Sequence, residues 1–187
     1  MIIVGIDPSL TRTSVAIGGT CDNPELHSIE VRNFPGSIQN RFLRYQSIVN
    51  RVEACVTGLH EPVIFLEGYG FLSQKAVDMA EFGSVLRVML LRIVNDGGRL
   101  IEVPPKSLKS FTAENGNADK EYMARSARRR WGVTFKSDDE CDAYCMWRFG
   151  RAYCGVDVEL SEAQLLAIEN VKHPVKKVKK KKKPKVT

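Results

Sequence analysis

Two short apolar segments each end in a carboxylate, and this feature limits the possible folds more than any other. The segment MIIVGI precedes Asp7, and the segment PVIFL precedes Glu67. Apolar runs rich in β-branched residues are typical of strands that are buried on both faces of a sheet. An ionised carboxylate at the edge of a core is costly unless something compensates it. Because binding sites form at the carboxyl ends of parallel strands, we expect Asp7 and Glu67 to lie in one.

The remaining periodicity predicts an α/β domain with one mixed sheet of five strands, covered by helices. The predicted strands are residues 1–7, 11–19, 27–34, 62–67 and 99–103. The predicted helices are residues 38–56 and 74–94, short helices within 104–132, a core helix that begins near Ser137, and a last helix that follows a capping-box pattern at Ser161. We expect one domain over residues 1–170.

The positive charge of the chain is concentrated at its C-terminus. Of the 28 lysines and arginines, nine are lysines between Lys172 and Thr187, so the rest of the chain has 19 basic and 22 acidic residues. We expect residues 171–187 to form a disordered tail that is attracted to polyanions, with nucleic acid as the partner. A solubilising extension without a specific partner is the alternative.

Several classes of protein are not expected. The longest apolar runs are too short to span a membrane, and the N-terminus lacks the features of a signal peptide, which predicts a soluble, unsecreted protein without a membrane partner. The five cysteines contain no C-x-x-C pair, which favours buried reduced thiols over disulfides or zinc ligands. No small-molecule cofactor is expected.

A third acidic group, SDDECDAY at residues 137–144, falls at the start of the predicted core helix. On a helix, Asp142 shares a face with Asp139 at i, i+3 or with Asp138 at i, i+4, whereas Glu140 points elsewhere. Acidic residues after a capping serine also stabilise a helix N-terminus, which is an alternative role for this group. Asp142 lies beyond the first turn, so capping explains it less well.

Carboxylates gathered within about 5 Å would repel by roughly 3 kcal/mol per pair at an effective dielectric constant near 20. Divalent cations remove this repulsion, and a ligand set made only of oxygen favours Mg²⁺, with Mn²⁺ as a substitute. Two such ions suit phosphodiester hydrolysis. The residues therefore predict a metal-dependent enzyme that acts on nucleic acid.

Four segments taken together resemble the RuvC-type Holliday junction resolvases of the ribonuclease H-like superfamily, in particular their phage and viral relatives. They are GIDPSLTRTSVAI, VIFLEGYGF, PPKSLKSFTAENGNADKEYM and DDECDAY, and they cover most of residues 1 to 153. The first segment alone is also similar to the opening hairpin of actin-like kinases, but that fold needs two such domains.

The resemblance implies a ribonuclease H-like fold and assigns roles to individual residues. It implies that four acids bind two metal ions and that Lys120 also acts in catalysis. It places Lys106, Lys109 and Lys120 against DNA, and it implies that an aromatic residue, Tyr69 or Phe71, stacks on bases at the crossover. The four acids are Asp7, Glu67, Asp139 and Asp142.

The resemblance further implies a homodimer that resolves four-way junctions and other branched DNA by paired symmetric nicks. The helix predicted at residues 74–94 could supply the dimer face or be a central core helix. Alternatives are a junction-binding protein without catalysis, or a nuclease for flaps or RNA–DNA hybrids. We expect a cytoplasmic protein of a bacterial or phage-infected cell, or a nuclear one in a eukaryotic host because of the lysine-rich tail.

Overall fold

The computed structural model describes residues 1–32, 36–68, 76–95 and 97–174. The strands are β1 (Ile3–Asp7), β2 (Arg12–Gly18), β3 (Glu25–Glu30), β4 (Val63–Glu67) and β5 (Arg99–Val103). The helices are α1 (Ile38–Val56), α2 (Ala76–Val94), α3 (Pro105–Ala113), α4 (Lys120–Trp131), α5 (Asp138–Tyr153) and α6 (Glu162–Lys172). None of the described helices combines the length and the apolarity needed to cross a membrane.

The five strands form one mixed sheet in the order β3-β2-β1-β4-β5, which confirms the predicted architecture. Strands β1, β2 and β3 form an antiparallel meander, whereas β4 and β5 continue the sheet parallel to β1. The parallel pairing aligns Ile6 with Leu66, the residues that immediately precede Asp7 and Glu67. The two carboxylates therefore end neighbouring strands at the same level.

Each face of the sheet is covered by its own set of helices. Along β1, Val4 and Ile6 pack with α1 and α2, whereas Ile3 packs with α3 to α6 on the other face. The same alternation holds in β4, where Ile64 and Leu66 contribute to the first core. By this alternation, Asp7 and Glu67 belong to the face that α5 covers.

Helix α5 lies unusually close to the central strand because β1 has glycine at its midpoint. A methyl group on Gly5 would lie 2.5 Å from the carbonyl oxygen of Ala143 and still closer to the amide nitrogen of Trp147. Gly150 has the same role further along α5, where a methyl group would lie 2.7 Å from Ile3. Only glycine permits this contact, which sets the distance between the first turns of α5 and the end of β1.

A buried charge network holds the C-terminal end of α5 to the β2–β3 connection. The Arg151 guanidinium donates to Asp157 at 2.9 Å, to the carbonyl oxygen of Cys21 at 2.7 Å and to Asp22 at 3.1 Å. Arg148 pairs with Asp22 at 3.1 Å. Both arginines are buried, and these partners satisfy their donors, as a buried charge requires.

Most of the predicted elements match the structure to within two residues, and two boundaries differ. Strand β3 begins at Glu25 and ends at Glu30, because β2 begins at Arg12 and offers no partner beyond it. Helix α6 continues to Lys172, beyond the predicted end of the domain at residue 170, because Ala167 and Ile168 pack into the core. The capping box at Ser161 is confirmed. Residues 175–187 of the predicted tail lie outside the described residues.

The cysteines agree only in part with the prediction of buried, reduced thiols, because Cys141 and Cys145 are buried, Cys55 and Cys154 are half-buried and Cys21 is exposed. All five are free, and the sulfur atoms of Cys141 and Cys145 lie 3.9 Å apart, one turn apart on α5.

The close contact at Gly5 predicts that Gly5→Ala destabilises the protein. The added methyl group meets backbone atoms, which cannot rotate away as a side chain does, so α5 must shift from the sheet. We expect a loss of about 1–3 kcal/mol in the free energy of unfolding, measured by urea denaturation. Gly19→Ala is the matched control, because the added methyl group would lie an ordinary 3.5 Å from the carbonyl oxygen of Met1. Equal stability of the two variants would contradict this account of the packing.

Candidate active site

The acids that end β1 and β4 form the centre of the candidate site. Asp7 is 7% exposed, and Glu67 is half-buried beside it. Their carboxyl groups are within hydrogen-bonding contact of each other. The contact follows from the sheet, because side chains at matching positions of adjacent strands lie on the same face.

The pKa values of this pair record the cost of burying two acids together. Burial, followed by the charges of Glu67 and Asp142, raises the pKa of Asp7 well above its usual range. Burial also raises the pKa of Glu67, although its hydrogen bond with Asp7 and the charge of Lys109 oppose that shift. Both acids of the pair therefore bind a proton more tightly than a free carboxyl group does.

The first turns of α5 bring two further acids to this pair. Ser137 caps the helix by accepting a hydrogen bond from the amide of Glu140 at 3.2 Å, and α5 then presents Asp139 and Asp142 towards the sheet. Burial and the charge of Glu67 raise the pKa of Asp142 to about 7. The charge of Asp139 raises the pKa values of both Asp7 and Asp142. We call Asp7, Glu67, Asp139 and Asp142 the acidic site.

The other two acids of the first turn have different partners. Asp138 is exposed and lies 3.6 Å from the ammonium group of Lys120. Glu140 points away from the acidic site, as predicted, and accepts hydrogen bonds from the Ser28 hydroxyl at 3.0 Å and the Lys136 amide at 2.9 Å. Spacing alone left Asp138 and Asp139 as alternatives; the charge of Asp139 acts on both Asp7 and Asp142, whereas that of Asp138 acts on Asp142 alone among these two.

Two of the three predicted DNA-binding lysines act electrostatically on the acidic site. The charge of Lys109 lowers the pKa of Glu67. Burial opposes the charge of Lys120, but Asp138, Asp139 and Asp142 outweigh it and raise the pKa of this lysine, which keeps it protonated. Lys106 lies one turn before Lys109 on α3 and packs along Gly116, in the connection between α3 and α4. Tyr69 and Phe71 lie outside the described residues.

Sequence analysis missed a row of polar side chains beside Asp7. Ser14 is directly opposite Asp7 in the β1–β2 pairing and is buried. Its hydroxyl lies 3.5 Å from that of Ser28, which in turn donates to Glu140. The alternation of TRTSVAIG puts Ser14 and Ala16 on one face, but only the register of the hairpin shows that this face meets Asp7.

The acidic site suits a hard divalent cation in its chemistry. All of its donors are carboxylate oxygens, the ligands that Mg²⁺ and Mn²⁺ prefer. The raised pKa values mean that these acids bind protons tightly, and a bound cation would displace those protons. Among the described residues, however, no three acids, histidines or cysteines are arranged to hold a metal ion as they stand. The backbone positions fixed by the sheet and α5 bring the four acids together, and their carboxylates can rotate about side-chain bonds to meet an ion.

The mixed five-stranded sheet with its flanking helices is similar in fold to solved structures of RuvC. Among solved structures, RuvC of Thermus thermophilus matches with a TM-score of 0.57 at 21% identity, over 83% of this chain and 98% of that one. A second structure, of T. thermophilus RuvC in complex with Holliday junction substrate, matches with a TM-score of 0.61 at 20% identity, over 83% of this chain and 97% of that one. No family model and no curated protein matches the sequence.

The raised pKa values predict how stability depends on pH when no divalent metal is present. An acid whose pKa is raised on folding binds its proton more tightly in the folded state, so stability falls as the pH rises from the unfolded pKa of about 4 to the folded one. For Asp142 the folded-state pKa, and therefore the upper end of this pH range, is about 7. We expect a loss of roughly 2–4 kcal/mol across this range in EDTA, measured by urea denaturation.

Removing one of the buried carboxylates, or adding Mg²⁺, should each restore the stability that is lost at high pH. Asp142→Asn should be more stable than the wild type at pH 8 in EDTA, and Mg²⁺ should stabilise the wild type but not Asp7→Asn. Glu159→Gln is the control, because it removes an exposed carboxylate beyond the far end of α5. A wild type that is equally stable at pH 5 and pH 8 in EDTA would rule out the electrostatic cost described above.

Proposed function

We propose that this protein is a Mg²⁺-dependent endodeoxyribonuclease that resolves Holliday junctions and other branched DNA by paired symmetric nicks, with Mn²⁺ able to replace Mg²⁺. The observation that carries the proposal is the convergence of Asp7, Glu67, Asp139 and Asp142 at one end of a RuvC-type fold. These acids come from distant parts of the chain, and their burial together has a cost that a structural role does not explain. Two lysines beside them supply the affinity for phosphate.

In this proposal the acidic site holds two metal ions. The four acids would hold these ions, which would supply the Lewis acidity that phosphodiester hydrolysis needs. Asp7 and Glu67 are fixed by the sheet and Asp139 and Asp142 by α5, so the ligands depend on the packing of one helix on one strand. Burial of Asp7 limits competition from bulk water for these carboxylates.

Two lysines beside the acidic site can bind the phosphates of the substrate. Lys120 remains protonated because three aspartates surround it, so it can bind a non-bridging oxygen of the scissile phosphate. Lys109 lies on the Glu67 side of the acidic site and can bind the same phosphate or its neighbour.

The proposed mechanism predicts that Asp→Asn substitutions inside and outside the acidic site lower the rate of junction cleavage by very different factors. Asp7→Asn and Asp139→Asn should each lower the rate of junction cleavage by about 10³-fold, because each loses a charged ligand worth several kcal/mol in the transition state. Both variants should still bind four-way junctions in a gel-shift assay. Asp138→Asn is the matched control and should keep its rate to within about tenfold, because Asp138 pairs with Lys120 at the margin of the site.

The assay should use four-way, Y-shaped, linear duplex and RNA–DNA hybrid substrates with either Mg²⁺ or Mn²⁺. Binding of junctions without cleavage in either metal would favour the alternative, a junction-binding protein without catalysis. Preferential cleavage of hybrids or flaps would favour a related nuclease. Normal junction cleavage by Asp7→Asn would overturn the assignment of the acidic site.

A homodimer is part of the proposal, and exposed apolar side chains on α1 and α2 support it. Ile38 and Leu43 of α1 and Val77, Val88 and Leu91 of α2 are each at least half exposed. Beside them, a cavity of about 580 Å³ is lined by Phe42, Leu43 and Val85 among others. This surface lies on the opposite side of the sheet from α5, so a partner could cover it without blocking the acidic site.

The dimer surface predicts the effect of Leu43→Glu combined with Leu91→Glu. Two buried charges should prevent association, so light scattering after gel filtration should give a monomer where the wild type gives a dimer. On a cruciform plasmid, the monomer should produce nicked circles and the wild type linear DNA, because paired nicks need two sites. Leu165→Glu, an exposed apolar position on α6, is the control and should change neither result.

A further inference from the structure

A basic surface lies beside the acidic site, in a groove between α4 and residues 133–138. The groove has a volume of about 320 Å³. Its floor contains apolar groups, and its rim has three cations; we call this surface the basic groove. The floor is formed by Ala124, Val133 and Phe135, and the rim by Arg125, Arg128 and Lys136.

The cations of the basic groove are available for a ligand. No carboxylate among the described residues pairs with the guanidinium of Arg128 or the ammonium of Lys136. Arg125 lies 3.9 Å from Glu121, but the side chains are 67% and 81% exposed, so this pair is weak. Three positive charges around one groove repel one another, and an anion would remove that repulsion.

A cavity of about 440 Å³ at the other end of α5 provides a useful contrast, because it too is lined by three cations, all of them arginines. There, Arg148 and Arg151 pair with Asp22 and Asp157, and Arg130 pairs with Glu114 at 2.9 Å. Those arginines connect parts of the protein. The arginines of the basic groove have no such structural role.

The basic groove continues from the acidic site along one face of α4. Lys120, Ala124 and Arg128 follow one another at i, i+4 spacing on one face of α4, with Lys120 next to the acids. Arg128 lies two turns further on, roughly 12 Å along the helix axis. Asp138 lines the groove and pairs with Lys120, so the two surfaces meet at this ion pair.

We infer that the basic groove binds the sugar–phosphate backbone of the cleaved DNA strand on one side of the cut, a few nucleotides from the scissile phosphate. The cations on the rim bind phosphates, and the apolar floor contacts sugars, which explains why the groove is basic above and apolar below. The inference rests on the proposed nuclease function and adds a site that fixes the register of the strand. It concerns binding of the backbone and predicts no preference for sequence.

The test compares binding of a four-way junction as a function of salt, with Asp7→Asn present in every protein so that the DNA stays intact. Removing all three cations, by Arg125→Gln, Arg128→Gln and Lys136→Gln together, should weaken binding at least about tenfold. It should also reduce the slope of log affinity against log salt by about 2–3, since each lost phosphate contact contributes about 0.9.

A pair of single variants provides a matched control. Arg128→Gln should reduce the salt slope by about 1. Arg129→Gln removes the same charge from the adjacent residue, which is exposed and does not line the groove, and it should have a smaller effect. Circular dichroism melting should show that both variants are folded.

Methylphosphonate linkages, which lack the phosphate charge, locate the contacts on the DNA. Placed one at a time on either side of the cut, they should weaken binding of the protein with an intact groove at a few neighbouring positions on one side, and leave the triple variant unaffected there. Equal effects on both proteins, or an unchanged salt slope in the triple variant, would overturn the inference while leaving the proposed function intact. Absence of junction binding by the protein with an intact groove would overturn both.

Discussion

The contact between α5 and the centre of β1 is the constraint on which the rest of the structure depends. Gly5 lets the backbone of the helix lie against the strand, and Gly150 does the same over Ile3. The helix thereby packs across β1 and its neighbours β2 and β4, and it brings its first turns to the carboxyl ends of β1 and β4. The acidic site is thus a consequence of backbone packing, and the side chains of its acids need only reach a short distance.

This packing has an electrostatic cost that is confined to one end of the domain. Burial raises the pKa values of Asp7, Glu67 and Asp142, and Lys109 and Lys120 offset only part of the shift. A fold that served only for stability would place apolar groups at the ends of these strands. The cost of burying these acids together is the physical basis for the proposal that they bind cations.

Much of the fold could be predicted from the sequence because local signals mark the elements. The bounds of α1 and β5 match their predictions, since Ser37 caps α1 and Pro104 follows β5. Asp7 and Glu67 were found because each ends an apolar run. The choice between Asp138 and Asp139 could not be made from spacing, because both lie one turn from Asp142 on a helix.

Other features depend on contacts between distant parts of the chain. Ser14 meets Asp7 only through the register of a hairpin, and Gly5 meets Trp147 only after α5 has packed. The basic groove forms when the segment after α4 folds back beside it, so its three cations are not a motif in sequence. Such features have no local signal, and periodicity does not reveal them.

The buried pairs of Arg148 and Arg151 have a practical consequence for handling the protein. Counterions in solution screen exposed charges efficiently and buried ones much less. Arg151 is 4% exposed and the side chain of Asp157 is 22% exposed, so concentrated salt should leave the bond between them in place, whereas Asp22 is exposed. The domain should therefore remain folded at salt concentrations that disrupt contacts between exposed charges.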